Sequence, residues 1–180
     1  MASGIKIGIT GLPGSGRREL MLTLVSMLEA EDKKIGGVFT LPVKEDGVIT
    51  GFKMVDYITK EEALIASTRI ASRNRIDEFG IDLDTLGLFS VNAIKRGVFN
   101  SDLVIIDEIG RIQLKSEYFN KAVLNALRSG KPLIMTIYRK SRSSLLQDIR
   151  RRDDIRMLEV TPVNKGILPF KIFKVLKEEV

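Results

Sequence analysis

Two hydrophobic rhythms alternate along this chain: short unbroken apolar runs, and longer stretches in which apolar residues return every three or four positions. The first rhythm predicts strands and the second amphipathic helices. Ile5–Thr10 is the first strand, and Glu19–Glu29 is the first helix, with Leu20, Leu24 and Leu28 on one side. Ile35–Val43 and Val48–Ile58 read as strands joined through the turn signal Glu45-Asp46-Gly47, an antiparallel hairpin. From Lys60 to Asp84 the signals conflict. Glu, Ala and Leu favour a helix over Glu61–Ile70, whereas Ile76, Phe79 and Ile81 around Gly80 favour extended chain. A helix follows over Thr85–Phe99, in spite of Gly87 and Gly97, then a strand at Leu103–Asp107, a helix at Ser116–Arg128 and a strand at Leu133–Ile137. Gly130 and Pro132 stop the helix before that last strand. The remaining elements are a helix at Ser143–Ile149, a strand at Arg156–Val160 and a helix at Gly166–Lys177. This alternation argues an α/β fold with a mostly parallel sheet, the hairpin attached to its parallel core. No repeat, low-complexity tract or linker interrupts it, so residues 1–180 are expected to form one domain.

Between the first strand and the first helix lies Gly11-Leu12-Pro13-Gly14-Ser15-Gly16-Arg17-Arg18. That is the setting in which the spacing G-x-x-x-x-G-K-[ST] marks a phosphate-binding loop. Glycines let backbone N–H groups crowd round phosphate oxygens, and the helix N-terminus adds partial positive charge. Arg17 stands where the motif has lysine, and Arg18 where it has the hydroxyl that holds Mg²⁺. A glycine run can be only a tight turn, but a second signal lies downstream. Leu103-Val104-Ile105-Ile106 leads into Asp107-Glu108, as a buried parallel strand delivering acids to its C-terminal end should look. Ligands of open α/β sheets sit outside those strand ends. The tips of the two strands are therefore expected to face one another across a phosphate site.

The chain contains neither histidine nor cysteine. That removes histidine bases, Ser-His-Asp and Cys-His nucleophiles, and every Cys/His zinc site. Carboxylates, Lys/Arg, backbone N–H groups and a borrowed metal remain, a set that suits phosphoryl transfer. The formal charge of +6 is concentrated late, in Arg139, Lys140, Arg142, Arg150, Arg151, Arg152 and Arg156. Such a run can be a solvated face, or can meet a triphosphate tail or a nucleic-acid backbone. Three dispersed tyrosines and no tryptophan leave little for base stacking. No apolar run approaches the roughly 18 residues of a membrane helix, and no signal-peptide core is present, so the expected location is the cytoplasm with no membrane partner.

The loop Gly11–Gly16, the run Val104-Ile105-Ile106-Asp107-Glu108-Ile109-Gly110 and the string Thr136-Ile137-Tyr138-Arg139-Lys140-Ser141-Arg142 come in a familiar order. In order and spacing they resemble the small P-loop nucleoside-triphosphatases of thermophiles, also called cancer-related nucleoside-triphosphatases. Gly36-Gly37-Val38-Phe39-Thr40, Gly51-Phe52 and Glu159-Val160-Thr161 with Asn164 extend the likeness over nearly the whole chain. The resemblance implies a three-layer, RecA-like P-loop fold, further strands in place of a helix after Lys60, and Mg²⁺-assisted hydrolysis of nucleoside triphosphates with little preference among bases. It implies nucleotide contacts from Gly11 to Arg18 and at Asn164. Asp107 matches the acid that holds Mg²⁺, and Glu108 the carboxylate that orients or deprotonates the attacking water. Arg139 or Arg142 matches a charge-stabilising arginine near the γ-phosphate.

The chain departs from that pattern at Leu41-Pro42, Gln113 and Tyr138, where acidic residues, glutamate and histidine are usual, and above all at Arg17 and Arg18. A planar guanidinium does not fill the place of an ammonium. Two unit charges 4 Å apart repel by roughly 4 kcal/mol at an effective dielectric near 20, so Arg18 compromises the Mg²⁺ site unless it turns outward. Three readings follow. One is a nucleoside-triphosphatase with slow turnover; another is a nucleotide-binding module that has lost hydrolysis. The third is a nucleic-acid binder or nucleotide kinase on the same core, though no acceptor site stands out in the sequence.

Overall fold

The computed structural model of the chain describes residues 3–178; both ends of the expected 1–180 domain lie outside the described residues. The strands are β1 (Lys6–Gly11), β2 (Ile35–Glu45), β3 (Val48–Asp56), β4 (Glu62–Ser67), β5 (Arg75–Ile76), β6 (Phe79–Ile81), β7 (Leu103–Ile109), β8 (Leu133–Ile137) and β9 (Ile155–Val160). The helices are α1 (Arg17–Ala30), α2 (Leu83–Asn100), α3 (Glu117–Arg128), α4 (Ser144–Arg151) and α5 (Leu168–Lys177). The strands join in one sheet in the order β5-β6-β4-β3-β2-β7-β8-β1-β9. From β2 to β9 neighbouring strands run parallel. Beyond β2 they alternate antiparallel through β3, β4, β6 and β5.

The unbroken apolar runs exist because the parallel half of the sheet is covered on both faces. Along β7, Leu103 and Ile105 pack with Leu20, Leu24 and Leu28 of α1 and with Ile172 and Leu176 of α5. Val104 and Ile106 point the other way, to Leu86 and Ile94 of α2 and Phe119, Val123 and Leu127 of α3. The period-2 alternation of the strand thus feeds two cores, and three layers result. Each fully buried Leu or Ile contributes about 1.5–3 kcal/mol. Helix α2 comes very close to β2, because a Cβ on Gly97 would stand 2.6 Å from the Gly37 nitrogen. The two glycines that look like weak points in this helix pattern are both packing surfaces, Gly97 against Gly36 and Gly37 and Gly87 against Tyr118 of α3, 3.2 Å from where its Cβ would stand.

The stretch after Lys60 is not helical. Glu62–Ser67 pairs antiparallel with β3, Phe52 opposite Ala66, and buries Ile65 and Ala66. Pairing an exposed sheet edge and burying Ile65 outweighs a helix preference of a few tenths of a kcal/mol per residue. The hairpin is thus the root of a four-strand antiparallel arm. Among the described residues, no helix is long and apolar enough to cross a membrane.

Candidate functional site

The C-terminal tips of the parallel strands meet at one edge. Gly11 ends β1 opposite Val160 of β9, Ile9 is level with Thr136 of β8, and Phe39 of β2 is level with Asp107 of β7. Just past β1, Gly16 starts α1 in the left-handed region, φ 100°, without a side-chain cap. Helices α2, α3 and α4 instead begin on Asp82, Ser116 and Ser143, each accepting a backbone N–H. The opening N–H groups of α1 are left for another acceptor, at the positive end of the helix dipole. The hydroxyls of Thr10 and Ser15, on either side of Gly11, are buried with no hydrogen-bond partner. Buried polar atoms are normally satisfied, and two orphans at one loop point to a polar ligand.

Opposite the loop, Asp107 and Glu108 both enter one cavity of about 190 Å³, with Arg17, Arg18, Thr40 and Thr136 also in its wall. Adjacent strand residues ordinarily face opposite ways. Here the pairing of β7 with β8 is irregular between Ile106 and Ile109, so both carboxylates can serve the same side. Thr136 Oγ1 donates to Asp107 Oδ1 at 2.6 Å. Burial pushes the Asp107 carboxyl above its usual range, against the Thr136 hydrogen bond and the charges of Arg17 and Arg18. Glu108 is also raised, by desolvation first, with Arg17 opposing and Asp107 adding to it. Its side chain is still 41% accessible, so solvent moderates the effect of the protein packed on its other sides. Arg17 Nη1 lies 4.0 Å from Glu108 Oε2 and donates to the Ile137 carbonyl at 3.4 Å. Arg18 is exposed. Gln113, buried, braces the cavity wall: its Nε2 donates to Thr40 Oγ1 at 2.9 Å and its Oε1 accepts from Gly110 N at 3.2 Å.

The remaining candidates stand apart from this cavity. Arg139 is paired with Glu159 at 2.7 Å, and Arg142 is exposed on the same loop. Arg150 holds that loop by donating to the carbonyls of Tyr138, Arg139 and Ser141. Asn164 spends both polar atoms on the turn after β9, accepting from Thr161 N at 2.8 Å and donating to the Glu159 carbonyl at 2.8 Å. Lys165, next to it, lies across Gly16, where a Cβ would stand 2.8 Å from Lys165 Cδ.

A family model described as NTPase matches residues 6–173, nearly the full chain. The chain belongs to the NTPase family. It is 35% identical over 175 residues to the nucleoside-triphosphatase THEP1 of Thermoplasma volcanium, covering 97% of this chain and 98% of that protein. To the nucleoside-triphosphatase THEP1 of Thermofilum pendens it is 36% identical over 162 residues, 89% of each. The crystal structure of THEP1 from Aquifex aeolicus has the same fold, with a TM-score of 0.83 at 24% identity over 96% of this chain and 99% of that one. The solution structure of a human cancer-related nucleoside triphosphatase gives 0.82 at 22% over 98% and 100%.

Membership of the NTPase family implies a nucleotide substrate and, with it, a divalent metal. Among the described residues no group of three or more Asp or Glu side chains could hold one, so the chain builds no closed cage. It offers Asp107 instead, whose Oδ1 is fixed by Thr136 and whose Oδ2 takes no hydrogen bond among the described residues. One carboxylate completed by phosphate oxygens and water can hold a divalent cation, and Asp107 fits that mode where the triphosphate's charge offsets Arg17 and Arg18, which act on the same carboxylate. The sequence marks Thr136 as the start of the string Thr136–Arg142 and Gln113 as a departure from the family pattern but gives neither a role; their hydrogen bonds to Asp107 and Thr40 supply one.

Proposed function

We propose that this chain hydrolyses nucleoside triphosphates to the diphosphate and inorganic phosphate, its residues 1–180 acting as one nucleotide-binding domain. The observation that carries the reading is the pairing of an uncapped α1 N-terminus with two carboxylates in one small cavity. The triphosphate tail lies on the backbone N–H groups of Gly14, Gly16, Arg17 and Arg18, the Ser15 N–H being spent on the Leu12 carbonyl, with the Ser15 hydroxyl as a further donor. Arg17, which has five donors, spans the terminal phosphate and Glu108. Glu108 accepts a hydrogen bond from water and takes its proton as the water oxygen attacks the γ-phosphorus. The bond from that phosphorus to the β–γ bridging oxygen breaks, and the diphosphate leaves. Asp107 would hold Mg²⁺, which supplies neutralisation of the charge developing on the phosphate oxygens. Little preference among bases is expected, because the amides and charges address the phosphate tail.

Arg139 and Arg142 are proposed as mobile cations that reach the γ-phosphate only after the Arg139–Glu159 pair opens. That pair is exposed, so opening it costs well under about 1 kcal/mol. Asn164 is proposed to flank the nucleotide beside Lys165. The experiment is phosphate release from ATP, GTP, CTP and UTP by the natural chain and by Glu108→Gln. The expected result is a loss of 10²–10⁴-fold (roughly the range for a general base), with nucleotide affinity changed only a few-fold. Equal rates for the two proteins remove Glu108 from the mechanism.

A further inference from the structure

A second cavity opens off the phosphate site. It has a volume of about 340 Å³, inside the roughly 300–1,000 Å³ range of small-molecule sites. Arg18 and Asp107 belong to its wall and to that of the phosphate cavity, so the two spaces share one partition. From there it runs along α1, past Leu22 and Val25 to Glu29, with Phe39, Tyr57 and Lys60 on the facing side. The Phe39 and Tyr57 rings stand 4.6 Å apart at 49°, and Lys60 Nζ lies 5.8 Å from the Tyr57 ring centre. This is an aromatic wall facing an aliphatic one, the shape that takes a planar ring. Charged groups of both signs, Arg18 and Lys60 against Glu29 and Asp107, stand at its rim, so no single-sign field marks it as an anion site. Burial, with Asp107 and Glu29 facing it, raises the Tyr57 hydroxyl and keeps it a hydrogen-bond donor.

We propose that this cavity is an acceptor site for a nucleoside, placed so that the hydroxyl of its sugar enters the phosphate cavity beside Asp107 and competes with water for the γ-phosphoryl group. The inference rests on the hydrolytic reading above, because it uses the same triphosphate position. The base lies between Leu22 and Val25 on one side and Phe39 and Tyr57 on the other. The nucleoside oxygen forms a bond to the γ-phosphorus, and its proton passes to Glu108. The bond to the β–γ bridging oxygen breaks, its electron pair leaving on the diphosphate. The products are a nucleoside monophosphate and a nucleoside diphosphate, and hydrolysis is the same event with water as acceptor.

The test incubates the full chain with ATP and, separately, adenosine, guanosine, cytidine, uridine and thymidine, and separates the products by ion-exchange chromatography. The expected result is a monophosphate from at least one nucleoside, formed mole for mole with ADP at the expense of free phosphate. Val25→Phe, which fills the cavity from α1, should lower that product at least tenfold while leaving phosphate release without nucleoside within twofold. Leu22→Arg, at an exposed position of the same wall, makes the same measurement if Val25→Phe does not fold. Phosphate release with no monophosphate from any of the five overturns the acceptor site and leaves the hydrolytic reading standing, as does a product yield that neither variant lowers. Monophosphate without free phosphate supports the acceptor site and overturns hydrolysis as the main reaction. Neither product from ATP overturns both.

Discussion

Protein packed around Asp107 and Glu108 makes both carboxyls hold protons at pH values where an exposed carboxyl has lost them. Rate and stability respond with opposite signs. Glu108 must be ionised to accept a proton from water, so kcat/KM should rise with pH through a value above the ordinary glutamate 4.5, and a pH–rate profile reads that limb directly. Stability runs the other way. Across the window from the ordinary carboxylate pKa up to the raised one, the folded chain binds more protons than the unfolded chain, so ionisation subtracts from stability as pH rises. Asp107→Asn keeps an oxygen for the Thr136 hydroxyl and removes the buried charge. At pH above that window it should raise Tm, by about 2–4 °C for each kcal/mol in a chain of this size, while abolishing turnover. A thermal melt beside a phosphate assay checks both. The loop and the two acids were legible because each is contiguous in sequence. Thr136 acts on Asp107 from 29 residues away and Gln113 on Thr40 from 73. Pairings of that kind follow from strand order, which no local pattern encodes.

Among the elements, the parallel core and the β2–β3 hairpin were legible and the next strand of the antiparallel arm, β4, was not, for one physical reason. Strands such as β7 are buried on both faces and declare themselves by composition, whereas β4 becomes a strand by pairing with β3 and by sheltering Ile65. Local preference alone favours a helix there; only likeness to known sequences argues for strands. Helix α2 carries the reverse case, since Gly97 reads as a weakness and acts as the point where the helix backbone meets Gly36 and Gly37. Gly97→Ala sets two effects against each other. Helix propensity gains about 1 kcal/mol, and forcing a Cβ to 2.6 Å from the Gly37 nitrogen costs about 1–3 kcal/mol. The packing loss should prevail, giving a lower midpoint in urea at unchanged m-value; a higher midpoint would mean that α2 can move off β2 without loss.

For the molecule as a whole, a triphosphate that binds only the folded chain must stabilise it by mass action. At a hundredfold excess over Kd the gain is about 2.7 kcal/mol. Differential scanning should show Tm rising with ATP concentration, and Arg17→Ala should flatten the rise. The late basic cluster contributes less than its count suggests, because Arg139 and Arg152 are paired with Glu159 and Asp154, and Arg150 is tied to carbonyls of its neighbouring loop.

The place of β1 between β8 and β9 has a consequence for biogenesis. The strand that leads into the glycine loop is made before the other strands of the sheet, yet both of its partners follow only after residue 132. Until then β1 has two open edges and nothing to hold its tip beside Asp107. The nascent chain therefore carries β1 without a strand partner until Leu133 has emerged, and the glycine loop gains its second flank only with Val160.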